Sequence, residues 1–127
     1  MALDAIGVVV EDIGRARDFY RHVDLEFPAD ATGHAEVTLA GGLRLMFDTV
    51  EVMRSFDPDW TAPTGSPRTT LAFSFATPAE VDAKFEELVA AGAQPHKPPW
   101  DAFWGMRYAI LRDPDGNELA LYAQLDT

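Results

Sequence analysis

Few side chains in this sequence could do chemistry. Three histidines, 21 aspartates and glutamates and three tryptophans stand among its 127 residues, and there is no cysteine. Without a thiol the chain can form no disulfide, thiolate metal site, iron–sulfur cluster or cysteine nucleophile. His22 lies on a helical pattern and His34 follows Gly33, so both read as surface residues. His96, between Pro95 and Lys97, reads as a loop residue rather than a general base. Asp57 and Asp59 flank Pro58 and are the sort of carboxylate pair that can move a proton. Their proline-rich acidic surroundings read more simply as a solvated loop. No glycine-rich phosphate loop and no Gly-x-Ser-x-Gly elbow is present. This residue set offers no catalytic constellation.

The aromatic side chains tell more. Pro98 to Gly105 reads as a loop in which Trp100, Phe103 and Trp104 fall within five residues. Rings left in water are costly, so the segment either plugs one end of a sheet or forms a platform on which a flat ligand stacks. Trp60, in the segment Asp57-Pro58-Asp59-Trp60, has the same two readings.

Ten basic residues against 21 acidic ones give a net charge of -11. A surface of that sign repels phosphate backbones and anionic membranes, which excludes nucleic acid and lipid as first-choice partners. Cationic small molecules would be attracted. The acids are scattered, as on a solvated surface. No apolar run approaches the ~18 residues of a membrane span. The N-terminal residues lack a basic start, so the expected location is cytoplasmic.

The elements that must position these groups follow from periodicity. A single domain over 1–127 is expected from length and composition, 47% hydrophobic and 24% charged. Residues 5–10 are β-branched and read as a strand. Asp12 stands at a helix N-cap, and Ile13, Ala16, Phe19, Tyr20 and Val23 follow at helical spacing. Residues 35–40 read as a strand, Gly41-Gly42 as a hairpin turn, and 43–48 as the returning strand. Residues 50–56 read as a short helix, and 58–68, with three prolines and a glycine, as a linker. A second module then begins: a strand at 70–75, Thr77 as N-cap, Pro78 at the first helical position, and an apolar stripe of Val81, Phe85, Leu88 and Val89. Gly92 stops that helix. A proline-rich loop follows, then a hairpin of 106–112 and 117–123 around Asp113-Pro114-Asp115-Gly116. An offset of 65 residues lays Ile6, Val8 and Val10 on Leu71, Phe73 and Phe75, and Asp12 on Thr77. The chain is therefore an internal repeat of about 1–57 and 69–127.

This repeat, with Val10-Glu11-Asp12, Phe19-Tyr20 and the closing Asp113-Pro114-Asp115-Gly116-Asn117, resembles the vicinal oxygen chelate superfamily, the glyoxalase/bleomycin resistance/dioxygenase group. The resemblance implies an α+β fold of two βαβββ modules forming a cupped mixed sheet, completed by a second subunit. Its metalloenzymes hold a divalent ion at four strand positions, which correspond here to Ala5, Met46, Thr70 and Ala120. Such ions need carboxylate or imidazole donors, which this set lacks. Glu118 is acidic and shares a face with Ala120, but one carboxylate makes no chelate. The implied expectation is no metal, no cofactor and no catalytic residue.

With those positions as markers, alternation turns Ala5, Gly7 and Val9 inward, with Arg44, Met46 and Asp48 on the next strand. Thr70, Ala72 and Ser74 join them, as do Met106, Tyr108 and Ile110, then Glu118, Ala120 and Tyr122. Such a lining suits a ligand pocket. Leu43, Leu45 and Phe47 should pack against the helices. The segments around Gly41-Gly42-Leu43-Arg44, Asp57-Pro58, Trp60 and Trp104-Gly105-x-Arg107-Tyr108 resemble the metal-free drug-binding branch, whose members sequester planar antibiotics of the mitomycin, bleomycin or anthraquinone-enediyne kind. The resemblance implies stoichiometric binding in a homodimer with shared grooves. It places Trp104 as the stacking residue and Phe47 where a relative has a tryptophan. The groove residues expected on this basis are Trp104, Phe103, Trp100, Trp60, Tyr108, Asp48, Met46, Arg44, Met106 and Phe47. The alternative is a lyase, isomerase or dioxygenase of the same superfamily.

Overall fold

The computed structural model describes residues 1–126, which fall into two compact units, 1–63 and 64–126. The first unit runs β1 (Ala5–Val10), α1 (Ile13–Tyr20), β2 (His34–Thr38), β3 (Arg44–Thr49) and α2 (Val50–Phe56). A single 3-10 turn, Arg21–Val23, extends α1 and closes at Asp24 with a positive φ of 62°. The second unit runs β4 (Thr70–Ser74), α3 (Pro78–Ala90), β5 (Gln94–Asp101), β6 (Met106–Arg112) and β7 (Glu118–Gln124). It is a complete βαβββ module. In the first unit β3 takes the place of β7 beside the opening strand and β2 that of β6, and among the described residues no strand matches the edge strand β5, so that sheet has three strands rather than four.

Both sheets are mixed and built on one plan. Strand order is β1-β3-β2 in the first and β4-β7-β6-β5 in the second, with the opening strand parallel to the closing strand of its unit. The 65-residue offset carries Ala5, the first residue of β1, onto Thr70, the first of β4. It also superimposes the caps. The Asp12 side chain accepts from the Arg15 amide, and that of Thr77 from the Glu80 amide, each satisfying a donor the helix leaves free.

Alternation along the strands sorts the side chains. Leu45 and Phe47 on β3 turn to the helix side, as do Leu119 and Leu121 on β7, and none is more than 3% exposed. Tyr20 of α1 packs against Phe47 at 5.0 Å between centroids, and Phe27 stacks on it at 4.4 Å. Phe47 is thus wholly inside the core of the first unit. The expectation that it lines a ligand groove is corrected: its ring is already covered on the helix side.

Two further expectations are corrected by backbone detail. Residues 98–105 are not one loop. β5 continues to Asp101, and only the tight turn 102–105 is irregular, closed by a hydrogen bond that the Gly105 N–H donates to the Ala102 carbonyl. The prolines misled because they break ladder pairing. The register with β6 shifts between Pro95 and Lys97 and again between Lys97 and Trp100, which an edge strand tolerates. The turn between β2 and β3 contains three residues, not two, because Leu39 and Leu43 pair and leave 40–42 outside. Gly41 and Gly42 lie at φ 90° and 94°, which a side chain would resist.

The β6–β7 turn is set by Asp113. Its fully buried carboxylate accepts from the amides of Asp115 (2.8 Å) and Asn117 (2.9 Å) and from the Asn117 side chain (3.0 Å). Those bonds fix the register that brings Glu118 opposite Arg112.

Candidate functional site

Each sheet keeps one face turned away from its helices, and the groups with chemical reach lie there. On the first sheet the register sets Ala5, Arg44 and Thr38 on one rung, Gly7, Met46 and Glu36 on the next, and Val9, Asp48 and His34 on the last. Arg44, Met46 and Asp48 therefore share a face, as the alternation predicted.

That face also holds a charged chain that sequence reasoning missed. His34 Nδ1 lies 2.7 Å from Asp48 Oδ1, and its Nε2 lies 3.0 Å from Glu36 Oε2. Arg44 donates to both Glu36 oxygens at 3.1 Å and to Asp4 Oδ2 at 2.6 Å. Hydrogen bonds from the imidazolium to Glu36 and then to Asp48 raise the pKa of His34 above its ordinary 6.5. The same His34 bond, followed by that from Arg44, lowers the pKa of Glu36. His34 is tied at both ring nitrogens rather than being an idle surface residue. The register was the missing signal: a two-residue turn would set His34 opposite Thr49, whereas the three-residue turn sets it opposite Asp48.

The second sheet presents rings. Trp100, Tyr108, Tyr122 and Ser74 stand side by side across β5, β6, β7 and β4. Trp104, in the turn before β6, joins them. Its centroid lies 6.0 Å from Trp100, 5.2 Å from Tyr108 and 5.0 Å from Phe103, at interplanar angles of 89°, 78° and 90°. Tyr108 and Tyr122 are nearly parallel at 6.2 Å. Lys97 places its ammonium 3.9 Å from the Trp100 centroid, a cation–π contact. Trp104 remains 46% exposed and Phe103 97%. Every aromatic neighbour of Trp104 meets it edge to face, so no protein ring is stacked flat upon it.

Of the expected groove residues, Trp100, Phe103, Trp104 and Tyr108 form this one cluster, and Met106 lies on the same face of β6. Arg44, Met46 and Asp48 belong to the first unit, and so does Trp60, which lies under Arg54 at 5.9 Å. The Arg54 Nε also donates to the Trp60 carbonyl.

The sequence of residues 2–121 matches the family model "Glyoxalase/Bleomycin resistance protein/Dioxygenase superfamily". The chain belongs to that superfamily. An uncharacterized protein of Mycobacterium bovis is 32% identical over 124 residues, covering 90% of this chain and 78% of its own length. A glyoxalase/bleomycin resistance protein/dioxygenase family enzyme from Burkholderia phytofirmans has a similar fold, with a TM-score of 0.83 at 21% identity over 98% of this chain and all of its own. A glyoxalase-related enzyme from Fulvimarina pelagi gives 0.82 at 20% identity, covering 98% of this chain and 88% of its own. At that identity the likeness establishes the fold alone.

The metal that superfamily enzymes hold does not fit the residues here. The positions to which the resemblance assigns the ligands hold Ala5 and Met46 on the first sheet and Thr70 and Ala120 on the second, none of them a carboxylate or imidazole. Among the described residues no group of three or more His, Asp or Glu side chains is placed to hold an ion. Even His34, Glu36 and Asp48 fail, because the two carboxylates grip different nitrogens of one ring rather than converging on a point. No helix of the described residues is long and apolar enough to cross a membrane.

Proposed function

We propose that this superfamily member binds a planar aromatic or quinone-containing antibiotic stoichiometrically, without transforming it, and so protects the cell by sequestration. The observation that carries this reading is Trp104: a half-exposed indole held edge-on by three rings, with no ring stacked on it. A flat ligand would supply the missing stacked partner, at about 0.5–1.5 kcal/mol beyond the area it buries. Sequestration calls for a Kd of roughly 1 μM or below, about -8 kcal/mol, so stacking must be joined by extensive apolar burial. Trp100 and Tyr108 supply part of that wall, and Asp48, Arg44 and Met46 are polar and apolar groups on the first sheet's open face. The working form proposed is a homodimer, since closed two-fold pairing is the commonest way to cover an open face. Light scattering at micromolar concentration should then give twice 14.0 kDa.

Titration of tryptophan fluorescence with mitomycin C and with an anthraquinone antibiotic tests the reading. Saturable quenching by either supports it, and no saturable change with either overturns it. One observation favours a second reading. His34, hydrogen-bonded to Asp48 at one ring nitrogen and to Glu36 at the other, is an exposed imidazolium able to give up a proton as a general acid, so a metal-free lyase or isomerase on the first sheet is the rival. Turnover abolished by His34→Gln would establish that rival.

A further inference from the structure

The ring-bearing face of the second sheet changes character along its strands. One rung beyond Trp100, Tyr108 and Tyr122 it presents the apolar Ile110, Ala120 and Ala72. One rung further it presents Gln94, Arg112, Glu118 and Thr70 side by side. This last rung stands about 13 Å from the rings, at ~3.3 Å per residue along a strand.

The polar rung is half satisfied. Thr70 Oγ1 donates to Glu118 Oε2 at 2.5 Å, which leaves the other carboxylate oxygen without a protein donor among the described residues. Arg112 Nε is closed off from solvent and has no hydrogen-bond partner. Arg107, on the opposite face of the same strand, shows what an engaged arginine looks like here: it donates to Asp82 and to Asp101 at 2.9–3.3 Å. A buried donor without an acceptor has given up water and gained nothing, which is rare enough to require a cause. A ligand group that draws the guanidinium toward the open face would supply the missing acceptor.

Its chemistry follows from the two neighbours. Arg112 offers N–H donors and needs an acceptor; Glu118 offers an oxygen and needs a donor. A carboxylate would satisfy the first but meet the charge of the second, on a protein whose net charge is -11. We infer that Arg112 and Glu118 form a subsite for a carboxamide-type group (a primary amide, carbamate or urea), whose carbonyl accepts from Arg112 while its N–H donates to Glu118. The subsite names the polar end of the ligand proposed above and to that extent rests on that reading, but it uses none of the same residues.

A fragment too short to reach the rings separates the two. The Nε–H signal of Arg112 in arginine-labelled protein, assigned by its loss in Arg112→Lys, is followed by NMR during titration with benzamide, benzoate and acetophenone. Benzamide should shift it saturably and bind about tenfold tighter than acetophenone, which accepts but does not donate. Benzamide should also outbind benzoate. In Glu118→Gln, where the repelling charge is gone, benzoate should gain and that advantage should collapse. The inference is overturned if benzamide causes no saturable shift, if benzoate binds the parent protein as well as benzamide does, or if the advantage survives in Glu118→Gln. A benzamide shift at Arg112 with no tryptophan quenching by planar drugs would sink the stacking reading and leave this subsite standing. Quenching without the shift would do the reverse.

Discussion

The two sheets share a plan and differ in what they expose. On the helix side they are alike: Leu45 and Phe47 in one, Leu119 and Leu121 in the other, all close to fully buried. On the uncovered side one is a chain of charges, Asp48–His34–Glu36–Arg44–Asp4, and the other a run of rings that ends at Arg112 and Glu118. Core packing tolerates little change in shape, so a repeated module keeps its apolar face. The open face carries no such constraint and is where two copies of one scaffold can acquire different chemistry.

The strongest test of this division is a substitution on the shared side. Phe47→Ala removes a ring packed between Tyr20 and Phe27 and should cost about 3–5 kcal/mol of stability, read as a lower denaturant midpoint. Were it to weaken ligand binding and leave stability intact, Phe47 would belong to the groove after all. Asp113→Ala comes next. It removes the carboxylate that accepts from three turn donors and should cost about 1–3 kcal/mol.

Trp104→Ala probes the open face of the second sheet. Affinity for a planar drug should fall by about 1–2 kcal/mol, as truncation of an aromatic anchor does, with little change in the melting midpoint because the indole is 46% exposed. A large drop in stability with affinity intact would make the ring cluster a structural plug.

The smallest expected effect belongs to the first sheet. His34 has a raised pKa when folded, so its stabilising contribution is complete below about pH 6.5 and is lost as pH climbs through the folded value. Glu36, with a lowered pKa, contributes above its ordinary 4.5 and loses that contribution as pH falls through its folded value. The charged chain therefore stabilises most in mildly acid solution. The melting midpoint should decline modestly from pH 6 toward pH 8, and His34→Gln should flatten that decline. An equal decline in the variant would show that other groups set it.

How much of this was legible in the sequence depended on range. The helix caps at Asp12 and Thr77, the buried stripes and the 65-residue offset are local or strictly periodic, and the sequence displays them directly. The ring cluster was half legible: Trp100, Phe103 and Trp104 are near neighbours, but Tyr108 and Tyr122 join only through strand pairing. The pairing of His34 with Asp48 was hidden because it hinges on one residue of turn length, and such a slip turns every side chain of one strand to the other face relative to its partner. Phe47 shows that a resemblance to a relative's ligand residue can conflict with alternation, and here alternation prevailed.

β5 has a consequence for the behaviour of the protein in crowded solution. It is the outermost strand of its sheet, and Pro95, Pro98 and Pro99 deprive it of three backbone donors. A strand from another molecule cannot zip onto a border with those gaps and register shifts, so this margin resists the runaway strand addition that seeds insoluble aggregates. The prolines that obscured the strand in the sequence thus let it sit at the sheet's rim without recruiting copies of itself.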